Sequence, residues 1–156
     1  MSEETVRTEA TTEELAVSAN QTHEHIARVQ YYMRRFAIDL LERADNHDQT
    51  KLNEPEATPF ALANKDGFLK GVTYGSEEYK ESIRKHLGPA LAHHYANNSH
   101  HPEFHEEGVN GMDLGDMVEM FCDWKAAGER HADGCIRKSI EINKDRFKLD
   151  PQVVDI

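Results

Sequence analysis

The chain has 156 residues, 38% of them hydrophobic and 30% charged, with a formal net charge of −11. That length corresponds to one domain with enough chain to bury a core, and no apolar run approaches the roughly 20 residues of a membrane helix. The acidic balance weighs against a nucleic-acid binder, which needs a basic footprint. A small anionic substrate stays open, because a metal ion can supply local positive charge.

Residues 1–12 are acidic and lack apolar periodicity, so they read as a flexible tail. "MSEETVRTEA" shows no basic-then-apolar pattern, which argues against export. From Glu13 the pattern becomes helical: Ile26, Val29, Met33, Phe36 and Leu40 alternate spacings of three and four and form one apolar seam. After Asp48, "EPEATPFALANKDGF" holds two prolines and a glycine and is expected to be a loop with at most a short helical turn. Glu54 and Glu56 within it read as solvated loop residues.

Ser76 is placed to cap the next helix, with Glu77 and Glu78 in its first turn. Gly88-Pro89 is expected to interrupt that helix, with Pro89 opening a new one that stops at Asn97-Asn98. A loop, "SHHPEFHEEGVNG", leads to a helix capped by Asp113, on which Leu114, Met117, Val118, Phe121 and Trp124 share the apolar face. Asp116, Glu119 and Asp123 fall opposite, where a solvated acidic face is the plainer expectation. After a break bracketed by Gly128 and Gly134, a last helix carries Ile136, Ile140 and Phe147. No stretch alternates with period two, so the expected class is all-α, a compact bundle of about five or six helices.

The unusual residue is histidine: there are ten, and six lie between His86 and His105. Any one of them is readily a polar helix-end residue, but the cluster is better explained if some bind metal. The two cysteines, Cys122 and Cys135, form no CxxC pair, which argues against a thiolate zinc site and suits a reducing cytoplasm. A metal site that hydrolyses phosphate esters needs neutral imidazoles and carboxylates, an open position for water, and positive charge for the phosphate. The candidates are His25, the adjacent His47 and Asp48, the pairs His93-His94 and His100-His101, and Asp116 or Asp123. Lys51, one turn beyond Asp48, could hold a phosphate as a point charge, or could serve as a helix-end cation.

These residues resemble the HD superfamily of metal-dependent phosphohydrolases, in which a histidine, an adjacent His-Asp pair and a distant aspartate gather around one to three metal ions. "HDQTK" looks like the HDxxK variant of the HD-GYP and related branches, and "HHPEFHEEGVNGMDLGDMVEMFCDWKAA" is similar to their His-His-Glu segment with its following helix. The GYP tripeptide is absent, so a cyclic dinucleotide substrate is not implied. The layout also resembles short HD-like proteins frequent in phage genomes. The resemblance covers about residues 23–127 and implies a single HD-like helical domain over 13–156. It implies His25, His47, Asp48 and Asp123 as core ligands, with Asp123 preferred over Asp116 on the resemblance alone. His94 and His101, with His93 and His100 as alternatives, would hold a second ion. The ion would be Mn, Fe, Co, Ni, Zn or Mg, and a metal-bound water would be the nucleophile acting on a nucleotide or similar phosphate, with Lys51 steadying the phosphate charge.

The helical reading constrains this set. His25 and His47 are 22 residues apart with no Gly or Pro between them, and on one unbroken helix they would lie roughly 33 Å apart. A shared ion therefore requires a turn near Asp39, which could cap a second helix with Glu42. Two alternatives remain at this point. One is an all-α nucleoside triphosphate pyrophosphohydrolase that holds magnesium on Glu119 and Asp123 and leaves the histidines idle. The other is a non-catalytic, metal-stabilised binding protein on the same scaffold. No membrane or extended nucleic-acid partner is expected, and the oligomeric state is not legible.

Overall fold

A computed structural model describes residues 9–66, 76–129 and 134–154. Among them the fold is all-α, with six α-helices: α1 (Thr12–Asn46), α2 (Ala57–Asp66), α3 (Glu77–Asn97), α4 (Leu114–Gly128), α5 (Ile136–Phe147) and α6 (Pro151–Val154). Short 3-10 turns at Gln49–Leu52, Pro102–Phe104 and Gly108–Gly111 link them. The chain divides into two compact units, the first ending at Leu41 and the second running from Glu42 to the C-terminus. No helix among the described residues is long and apolar enough to cross a membrane.

The first unit contains α1 up to Leu41. Thr11 caps the helix by accepting a hydrogen bond from the Glu14 N–H at 3.2 Å, while the Glu14 carboxylate accepts from the Thr11 N–H at 2.7 Å. That is a reciprocal capping box. The seam residues Ile26, Val29, Met33 and Phe36 lie on this helix and are exposed. The turn required near Asp39 is not there: α1 continues without a break to Asn46. An Asp inside a helix costs only a few tenths of a kcal/mol, while Ala, Leu, Arg and Glu around it are strong helix formers. No Gly or Pro opposes them.

In the second unit α3 runs straight through Gly88-Pro89 to Asn97, where the sequence predicted a break. A proline inside a helix costs about 3 kcal/mol, but Leu87 and Ala90 on either side of it are buried. Packing therefore outweighs the local rule. Ser76 caps α3 by accepting from the Tyr79 N–H. The segment 57–66, expected to be loop, is the helix α2. The core gathers Val109, Met112, Met120, Ile140 and Leu149, with Met117, Phe121, Trp124 and Phe147 packed on it. Leu114 belongs to the expected apolar face of α4 but is exposed. The Asp113–Asp116 capping box seats the start of α4, and Gly115 lies against the Arg43 side chain. With one face of α4 in the core, its other face is free to form a site.

Candidate metal centre

The second unit brings together side chains from three places. His47 and Asp48 follow the last turn of α1, His94 lies near the end of α3 with His100 and His101 just beyond it, and Glu119 and Asp123 stand on the polar face of α4. Asp48 is at the middle. Its backbone is left-handed, with φ 58° and ψ 13°, a conformation that Asp and Asn tolerate better than other non-glycine residues. That turn separates α1 from the 3-10 turn behind it, and the two Asp48 oxygens serve two different sets of neighbours.

One set is Asp48, His94, His100 and His101. Asp48 Oδ1 lies 3.2 Å from His94 Nε2 and 3.6 Å from His100 Nε2, and His94 Nε2 lies 2.9 Å from His101 Nε2. Ligands bonded at about 2.0–2.2 Å to one tetrahedral ion stand roughly 3.3–3.6 Å apart, so the two Asp48 separations are close to that size, while His94 and His101 stand closer, at hydrogen-bond distance. Asp48 Oδ1 and His100 Nε2 are both buried without a hydrogen-bond partner. Buried polar atoms are almost always paired, and a cation between these two facing atoms would satisfy both. The donor set therefore fits a divalent ion.

The other set is His47, Asp48 and Asp123. His47 Nε2 lies 3.5 Å from Asp48 Oδ2 and 3.8 Å from Asp123 Oδ1. These three are half-buried, whereas His94 and His100 are fully buried. Lys51 reaches the same Asp48 oxygen, with Nζ 2.5 Å from Oδ2. A third grouping of His47, His100 and Glu119 has a different character. Glu119 Oε1 lies 2.9 Å from His47 Nδ1 and 3.0 Å from His100 Nδ1. An ionised carboxylate only accepts, so His47 donates from Nδ1 and turns a bare Nε2 toward Asp48, while His100 Nδ1 lies near the same oxygen without hydrogen-bond geometry. Glu119 thus orients the His47 ring, and Arg43 Nη1 steadies it at 3.4 Å.

The electrostatics follow from this crowding. Burial raises the pKa of the Asp48 carboxyl, but the neighbouring imidazoles and the Lys51 ammonium hold it well below the usual range. Burial, reinforced by His100 and His94 beside it, pushes His101 down to about 3. His100 is also lowered, with burial outweighing the attraction of Glu119. Both rings are neutral near pH 7, the form in which imidazole binds metal.

The structure distributes the sequence-predicted residues unevenly. His47, Asp48, His94, His101 and Asp123 lie in these groups, and Lys51 adjoins them. His100, an alternative at the sequence level, is in two of them. His25 is an exposed residue of the first unit on an unbroken helix, and no group of potential ligands among the described residues includes it. Asp116 is occupied elsewhere, accepting from Arg43 Nη1 at 2.8 Å and from Ser99 Oγ at 2.5 Å while capping α4. His93 points to Glu56 Oε1 at 2.7 Å. Glu56, expected to be solvated, is fully buried. The only hint in the sequence was that two histidines follow on a later helix. Glu119 was expected on a solvated face and is largely enclosed; His131 lies outside the described residues.

Fold and site together define an all-α protein with a preassembled histidine–carboxylate cluster able to hold divalent metal. The chain belongs to a Family of unknown function (DUF5662), whose model matches residues 15–156. No curated protein and no solved structure matches it.

Proposed function

We propose that the protein is a metal-dependent phosphohydrolase of the HD type, acting on a nucleotide or similar small phosphate in the cytoplasm. The observation that carries this reading is the pair of orphaned buried atoms, Asp48 Oδ1 and His100 Nε2, facing one another beside the bare Nε2 of His94. The two sets that share Asp48 differ as anchoring and reactive metal sites differ. Asp48, His94, His100 and His101 supply four protein ligands, which closes a tetrahedral ion. His47, Asp48 and Asp123 supply three in a half-buried place, which leaves a position for water or substrate. A divalent cation there would lower the pKa of water and polarise a phosphoryl oxygen. Lys51 supplies a cationic group beside it for the remaining phosphate charge. The rest of this strongly acidic chain favours cation uptake.

The pyrophosphohydrolase alternative would need Glu119 free for magnesium, and Glu119 is taken by His47, His100 and Arg43. The non-catalytic alternative is favoured by the closed four-ligand set, and it differs in its outcome. The test is elemental analysis of protein purified without a histidine tag, followed by a panel of nucleotides assayed with the metal found. A stoichiometric transition metal with phosphate release supports the phosphohydrolase. Metal without turnover supports the binding protein, and no metal refutes both.

A further inference from the structure

We infer that Glu56 is a positioning residue that fixes the tautomer of His94 and so aims the bare His94 Nε2 at Asp48. This rests on the reading that the cluster around Asp48 holds a cation. Glu56 begins the turn into α2, is fully buried, and belongs to none of the ligand groups.

The hydrogen count fixes the arrangement. His94 Nδ1 has three polar neighbours: Glu56 Oε2 at 2.9 Å, Asn98 Nδ2 at 3.1 Å and Thr50 Oγ1 at 3.2 Å. Asn98 has two amide hydrogens, and both have better partners. One goes to the His94 carbonyl at 2.8 Å and the other to Thr50 Oγ1 at 3.0 Å. Because Thr50 Oγ1 accepts from Asn98, its own hydrogen is directed to Glu56 Oε2 at 3.0 Å. No donor is then left for a bare Nδ1, and a bare Nδ1 would oppose a carboxylate oxygen at hydrogen-bond distance. Nδ1 therefore carries the proton and donates it to Glu56, the nearer carboxylate, and Nε2 is left as a lone pair that accepts from His101 Nε2 at 2.9 Å and faces the partnerless Asp48 Oδ1 at 3.2 Å. The second oxygen, Oε1, takes the His93 Nδ1 proton at 2.7 Å, which holds the carboxylate plane against rotation.

This completes a pattern that Glu119 begins. Glu119 sets the ring of His47 and Glu56 sets His94, and their two bare Nε2 atoms face the two Asp48 oxygens. Carboxylates behind metal-binding imidazoles typically tune affinity by 10–100-fold.

The test uses the full chain, stripped of metal and then titrated with zinc. Imidazole nitrogen-15 spectra of the metal-free protein report which ring nitrogen of His94 bears the proton, independently of any turnover. The wild type is expected to show a single Nδ1–H form. Glu56→Met, which keeps the length and removes both acceptors, is expected to give mixed tautomers and about 10–100-fold weaker zinc binding. Thr50→Val, which removes one hydrogen bond to the same carboxylate, should show a smaller loss of a few fold and keeps the test decisive if Glu56→Met does not fold. Leu87→Ala is a destabilised control on α3 outside this network and should keep the tautomer and the affinity. A proton on Nε2 of His94 in the wild type overturns the proposal, as does zinc affinity in a folded Glu56→Met within threefold of wild type. A wild type that takes up no zinc also overturns it. Zinc binding with the expected tautomer but no phosphate release supports this proposal and refutes only the phosphohydrolase.

Discussion

Acid should destabilise the metal-free protein well above the pH at which carboxylates titrate, and His101 is the main reason. In the unfolded chain an imidazole titrates near 6.5, whereas burial and the neighbouring rings push folded His101 down to about 3. Between those values the unfolded state binds a proton that the native state refuses, so stability is fully present above 6.5 and is lost as the pH falls toward 3. Integrating that single site from pH 7 to pH 5 gives a loss of roughly 2 kcal/mol. His100, also lowered, acts in the same direction. Asp48 is depressed from 3.8 and adds its own loss only below about pH 4, so it leaves the pH 7 to 5 window to the imidazoles. The assay is urea unfolding in the presence of a chelator. It can be followed by the fluorescence of Trp124, the chain's one tryptophan, which stacks on Phe147 at 6.0 Å. His101→Gln removes the titrating ring and should flatten the dependence by about one proton. If His101→Gln loses stability between pH 7 and 5 as steeply as the wild type, the account of a neutral, desolvated His101 is wrong.

Three other outcomes follow from the same geometry. Zinc at about 100 times its dissociation constant should stabilise the fold by about 2.7 kcal/mol, raising the melting temperature by roughly 5–10 °C for a chain of this size; calorimetry with and without chelator measures it, and an unchanged melting temperature contradicts a native-state site. Asp48→Asn keeps a residue that tolerates the left-handed backbone but removes the charge shared by both ligand sets. It should cost zinc affinity by at least tenfold, and abolish any phosphate release, while circular dichroism stays unchanged. Gly115→Ala would place a methyl 2.7 Å from Arg43 Nε. Because Arg43 is paired with Asp113, Asp116 and Glu119, the clash should cost about 1–3 kcal/mol in urea unfolding.

What the sequence made legible follows physical range. Local chemistry read through well: the Ser76 and Asp113 caps are each decided within three residues, and both helices start there. The readings that failed set a local preference against something longer in reach. Asp39 was given the role of a cap, but 35 residues without Gly or Pro stay helical, and Gly88-Pro89 was read as a break with Pro89 opening a new helix, although buried neighbours hold one helix through it. Burial of charge was the least legible quantity, because it depends on residues far away in the chain. Glu56 looked like any loop acid until His93 and His94, 37 and 38 residues later, closed over it, and Glu119 looked solvated until His47, 72 residues earlier, reached it. The His-Asp pair shows the same division. The adjacency of His47 and Asp48 was visible at once, but adjacent residues on a continuing helix point about 100° apart. It is the left-handed turn at Asp48, placed where α1 ends, that releases the carboxylate from the helix and lets its two oxygens face two sets of ligands. A helical backbone at position 48 would keep the dipeptide and turn the carboxylate away from one of its two sets of neighbours.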